Sequence, residues 1–256
     1  MNFFKEAKRR NALLFNLSAV LSFLFLLFIA TFWVCGSPPV AEICYWLKPF
    51  KFSLSFAVYL FTLGWLMEYL KPVIGEKRIK VLSVAIAFLV VIQMLAIFLQ
   101  SIRYSKSFAY FELSEETAEG LSSLFHLIGD TVILMTSALI VYIAVQFFKA
   151  VPLKPSSYLL SIRAGFTIFI SSCLLGLFLL MHYGQVPPDH ESFGLPFIQS
   201  NSVRDHLISI HFFGIHALQF LPVMGFFLKE KIAYYTVNFI LFGYLASTLY
   251  FLIKAF

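Results

Sequence analysis

Seven predominantly apolar runs occupy most of the chain, at residues 11–34, 49–70, 79–102, 121–148, 158–183, 203–228 and 233–253, each bounded by charge, Pro or Gly. A hydrocarbon core of ~30 Å needs about 20 apolar residues per helix, so every run is long enough to cross a membrane. None of them alternates polar and apolar residues over ~10 positions, as the strands of a transmembrane barrel do. The pattern predicts an all-α fold, an integral membrane bundle of seven transmembrane helices, with residues 1–256 forming one domain.

The connections divide into two kinds. Those at residues 71–80, 149–157 and 229–232 are short and predict closely packed antiparallel neighbours. Residues 105–120, with the acidic stretch ELSEETAE, and 184–202, rich in turn-forming residues, are longer and lie at the opposite end. Ser114 followed by Glu115 and Glu116 has the chemistry of a helix start, so the fourth helix is expected to begin outside the membrane. Pro49 suits the first turn of the second helix, which would put Lys48 at its start.

Composition sharpens this reading. The chain is 60% hydrophobic and only 12% charged, so the few charges carry most of the topological information. Lys5, Lys8, Arg9, Arg10, Lys71, Lys77, Arg78, Lys80, Lys149, Lys154, Lys229 and Lys231 fall at one set of helix ends. Lys48, Lys51, Arg103, Lys106, Arg204 and Lys254 fall at the other. Because cytoplasmic loops carry the Lys/Arg excess, the N-terminus is expected in the cytoplasm and the C-terminus outside. The net charge of +6 is then a topology signal and gives no support for a nucleic-acid partner. The basic start precedes an apolar run too long for a signal peptide and without a small-residue cleavage site, and reads as a retained anchor. Cys35 and Cys44 share the first outer connection, where an oxidising compartment would allow a disulfide as readily as two free thiols.

Ionisable residues at membrane depth are costly and mark functional sites. His206, His211 and His216 recur at five-residue steps in the sixth run, with Gln219 one turn further. Counted at ~1.5 Å per residue from the outer ends, His126 lies ~8 Å deep, Asp130 and His211 ~12 Å, and His216 ~20 Å. At ~100° per residue, Ser209 and His216 fall within about 80° of His206 on one side and Gln219 roughly 60° beyond His216, whereas His211 lies about 140° from both His206 and His216, beside Arg204. One ion held by both His211 and His216 would therefore need a distorted helix. In the fourth run Ser122, His126 and Asp130 repeat every four residues, and Asp130 is placed to orient the His126 imidazole. Gln93 and Gln100 share a face of the third helix. His182 and the cations Lys48, Lys51, Arg103 and Arg204 lie at the outer boundary, where they suit an anion or lipid headgroups.

The segments KPFKF (48–52), GLP (194–196) and HFFGIHALQFLP (211–222) resemble a family of uncharacterised bacterial polytopic membrane proteins, which implies an inner-membrane location and no particular activity. The chain is also similar to heliorhodopsins in length and topology. Its last run lacks the mid-helix lysine that a retinal Schiff base needs, so no retinal is expected. Ser122, His126 and Asp130 resemble the serine, histidine and aspartate of the alkaline ceramidase and adiponectin-receptor superfamily, but the HxxxH pair of that group is missing. His126 and Asp130 also fit the HxxxD of lipid-phosphate phosphatases, whose other motifs are absent.

These residues frame three functions. The leading one is a haem or metal site for redox chemistry, built from His126, His211, His216, Asp130, Gln219, His206 and His182, with the cations holding propionates. A proton-coupled transporter of a small molecule or lipid is the second. A zinc hydrolase with His126, Asp130 and His216 as metal ligands is the third. The expected partners are the lipid bilayer and a small molecule or anionic lipid.

Overall fold

The computed structural model describes residues 3–34, 40–104, 115–149, 156–183 and 202–255, with all their side chains except those of 3, 32–34, 40–45, 103–104, 115–123, 125 and 126. Every described element is helical: α1 (Phe3–Arg10), α2 (Ala12–Val34), α3 (Val40–Met67), a 3-10 turn (Glu68–Leu70), α4 (Lys71–Ile74), α5 (Glu76–Tyr104), α6 (Glu115–Lys149), α7 (Ser156–Tyr183), α8 (Val203–Phe227) and α9 (Glu230–Ala255). Seven of these stretches are long and apolar enough to cross a membrane. Large side chains such as Phe239, Phe227 and Met181 stand fully outward, as a lipid-facing surface requires. The chain is a multi-pass integral membrane protein in contact with the bilayer.

Two boundaries differ instructively from the sequence pattern. Helix α3 starts at Val40 and carries Pro49 in its interior, so Lys48 lies two turns inside the helix and not at its start. Backbone bonds cannot be exchanged for water in lipid, so the helix runs on through the proline although that residue donates no N–H. The connection at residues 71–80 is itself almost wholly helical. It is broken at Gly75, whose φ of 83° is the only positive value among the described residues. Helix α6 is described from Glu115, ahead of its apolar run, and Ser114, the expected cap, lies outside the described residues.

The described residues divide into two compact units, up to Leu139 and from Ile140 onward, so α6 contributes to both. In the first unit Leu14, Leu60, Leu63 and Leu66 are fully buried between α2 and α3, and Phe25 stacks on Phe50 with centroids 4.6 Å apart. Ser18 Oγ donates to Ala57 O across the same interface at 2.7 Å. In the second unit α7 and α8 share the most extensive interface among the described residues, with α9 packed against both. Gly165 makes this closeness possible: a Cβ there would stand 3.2 Å from Leu218 Cα and 3.3 Å from Ala217 O. Small residues at such a contact let two backbones approach where lipid offers no hydrophobic drive to association.

Candidate functional site

The second unit concentrates its polar side chains between α7, α8 and α9. Ser202 caps α8, its Oγ accepting from Asp205 N at 3.2 Å, and fixes where the histidine-bearing helix starts. Two turns on, His211 meets Ser172 of α7 in a reciprocal clasp. Ser172 Oγ donates to His211 O at 2.7 Å, and His211 Nδ1 lies 2.8 Å from Ser172 O. A carbonyl oxygen only accepts, so Nδ1 carries the proton and the neutral ring keeps its lone pair on Nε2. No hydrogen bond to Nε2 is made among the described residues.

Glycines create the room for this arrangement. A Cβ at Gly176 would come 2.6 Å from His211 Cε1, so the imidazole occupies the space that a side chain would fill. At Gly214 a Cβ would meet Ser172 Cβ at 2.6 Å and the Tyr244 hydroxyl, which reaches in from α9. That hydroxyl is buried beside Ser172 and Thr248 without a hydrogen bond of standard geometry, an unusual cost in a membrane interior. Ser172, Gly176, Gly214 and Tyr244 are the components that the histidine spacing did not reveal. The signal present was the recurrence of small residues along α7, Ser157, Ser161, Gly165, Ser172 and Gly176, which marks a close helix contact.

The other residues singled out by sequence go to different surroundings. His206 stacks on Phe251 of α9, centroids 4.7 Å apart, so it and His211 contact different helices, as the angular reading expected. His216 packs edge-on against Phe212 at 4.8 Å and has Gln219 beside it, buried one turn along. His182 stacks on Phe178 at 5.2 Å, and Arg204 lies over the Tyr183 ring at 5.7 Å.

Lys48 is half-buried and Lys51 exposed, both in the first unit, whereas Arg204 belongs to the second. Asp130 is half-buried in the first unit and makes no hydrogen bond or ion pair among the described residues. Roughly 28 Å of helix axis separates it from Lys149 at ~1.5 Å per residue, so with Lys149 at one face of a ~30 Å core, Asp130 lies near the other. Beside it, a Cβ at Gly129 would be 3.8 Å from Gln93 Nε2, and the buried Gln93 Oε1 has no partner. Arg103, Ser122, His126, Cys35 and Cys44 lie outside the described side chains. Cys173 forms no disulfide among the described residues. Among the described residues no three His, Cys, Asp or Glu side chains converge as a metal site would require.

The fold and its polar interior thus define a multi-pass membrane protein with a histidine held in one tautomer between two helices. No protein-family model matches the chain, and neither a curated protein nor a solved structure does.

Proposed function

We propose that the protein binds haem within the membrane and that His211 Nε2 would ligate its iron. The observation that carries this reading is the 2.8 Å contact between His211 Nδ1 and Ser172 O. Histidines that ligate iron or other metals almost always donate their second ring N–H to a carbonyl or carboxylate, which fixes the tautomer and raises ligand basicity. Haem needs one or two such ligands, so the donor chemistry suits it. When bound, haem supplies a one-electron couple whose potential follows axial ligation and burial. Ser172 holds the proton on Nδ1 and sets the ring plane, Gly176 seats the ring, and Phe212 and Phe213 add apolar surface on α8. Arg204 and Lys254, near the end of the unit where α8 starts and α9 finishes, are suitable cations for propionates.

The test is optical. Protein produced with haem supplied and purified in mild detergent should show a Soret band that is lost in His211→Ala and kept in His206→Ala. A colourless preparation, or a band that His211→Ala leaves intact, overturns the reading.

Proton-coupled transport is the second reading. It draws support from the clasp itself: a proton added at Nε2 would place a charge directly in the α7–α8 interface and alter its packing.

A further inference from the structure

We propose that α1 and the turn leading into α5 form a binding surface for the phosphate headgroups of anionic lipids. The short helix α1 is fastened to the first unit by Ala7, which is buried, and by Glu6. Glu6 accepts from Arg9 Nε and Nη2 at 2.8 Å each and from Arg10 Nε at 3.0 Å. The guanidinium of Arg10 lies over Trp65 at 4.0 Å and Tyr69 at 5.0 Å, and its Nη1 donates to Trp65 O at 3.4 Å. At the start of α2, Asn11 Nδ2 donates to Ser83 Oγ at 2.7 Å, which ties this end of the chain to the second turn of α5. Two basic segments, residues 5–10 and 71–80, are thereby held at one end of the unit.

Internal pairing uses up every acid there. Glu6 takes Arg9 and Arg10, Glu68 takes Lys71 at 2.6 Å, and Glu76 takes Lys80 at 3.2 Å. Lys5, Lys8, Lys77 and Arg78 are exposed and have no carboxylate partner among the described residues. Phe4 and Val73 present apolar surface in the same two segments. Unpaired cations interleaved with exposed apolar side chains, on a helix attached to membrane spans, match the chemistry of the headgroup layer. Lipid phosphates are the anions always present there at high local density, so the occupant is an anionic lipid and not a free ion.

The experiment uses the full chain in neutral detergent, titrated separately with short-chain phosphatidylglycerol, phosphatidylcholine and inorganic phosphate while thermal unfolding is followed. Phosphatidylglycerol should raise the unfolding midpoint, less so at high salt, and phosphatidylcholine should not. The quadruple variant Lys5→Gln/Lys8→Gln/Lys77→Gln/Arg78→Gln should unfold at the native midpoint without lipid, yet need about tenfold or more phosphatidylglycerol for the same rise. A control with as many cations removed elsewhere, Lys149→Gln/Lys154→Gln/Lys229→Gln/Lys231→Gln, should respond as the native chain does. Equal stabilisation by phosphatidylcholine, an equal response of the quadruple variant, or full reproduction of the effect by inorganic phosphate would each overturn the proposal.

Discussion

The two units concentrate different kinds of polar contact, although the first also carries a buried hydrogen bond between helices, from Ser18 Oγ to Ala57 O. In the first unit, ion pairs gather at one end, where Glu6, Glu68 and Glu76 hold arginines and lysines within reach of water. In the second, neutral hydrogen bonds lie inside the helix contacts, where Ser172 and His211 bond each other's backbones over glycines. Charges at an end fix how a segment enters the membrane and cost little, because solvent screens them. Polar groups in a dry helix contact must be satisfied by geometry alone, so the second unit is the one that constrains its side chains tightly enough to act as a site.

The largest effect should come from filling the space on which the second unit depends. Gly214→Ala drives a methyl group into Ser172 Cβ and the Tyr244 hydroxyl, and should destabilise the protein by about 1–3 kcal/mol in a detergent unfolding assay. Gly243→Ala, on the open side of α9 with nothing within 4 Å of its Cβ, should be neutral or slightly stabilising. If Gly64→Ala in the first unit, where Leu14 Cβ is 3.3 Å away, costs as much as Gly214→Ala, the contrast in packing fails.

A smaller effect is expected from the clasp. Ser172→Ala and His211→Ala should each cost on the order of 1 kcal/mol by removing its own bond to the other's backbone, and the double variant should cost somewhat less than their sum, because either change also removes the 3.2 Å contact between Ser172 Oγ and His211 Nδ1. Added salt should leave this coupling unchanged. Additive costs would mean that the two residues act separately.

The smallest effect belongs to the ion pairs. The arginines bonded to Glu6, Arg9 foremost, hold its carboxyl well below the usual range, at about 2 against 4.5. A depressed carboxylate stabilises the fold fully above 4.5 and loses that contribution as pH falls toward 2. The melting difference between the native chain and Glu6→Gln should therefore be constant above pH 4.5, shrink below it, and diminish with salt at any pH. A difference that persists unchanged at pH 2 would contradict this role.

Much of the fold was legible because apolar length is a coarse, strong signal: all seven spans lie where the runs lie. Pro49 misled because the residue that suits a helix's first turn stands here inside a helix already running from Val40. At the site, helical angles separated His211 from His206, but nothing in the spacing named Ser172 or Tyr244 as neighbours. Ser172 and His211 lie 39 residues apart, Tyr244 reaches in from a third helix, and these contacts depend on which small residues let the backbones close, information that resides in pairs of helices and not in either one.

The central claim, that Ser172 holds His211 as the Nδ1–H tautomer with a bare Nε2, can be read directly by nitrogen NMR of protein labelled with 15N-histidine. One imidazole should show a protonated Nδ1 and an unprotonated Nε2, and that pair of signals should vanish in His211→Ala. If the signals assigned to His211 show the proton on Nε2, or on both nitrogens at neutral pH, the account of the site is wrong.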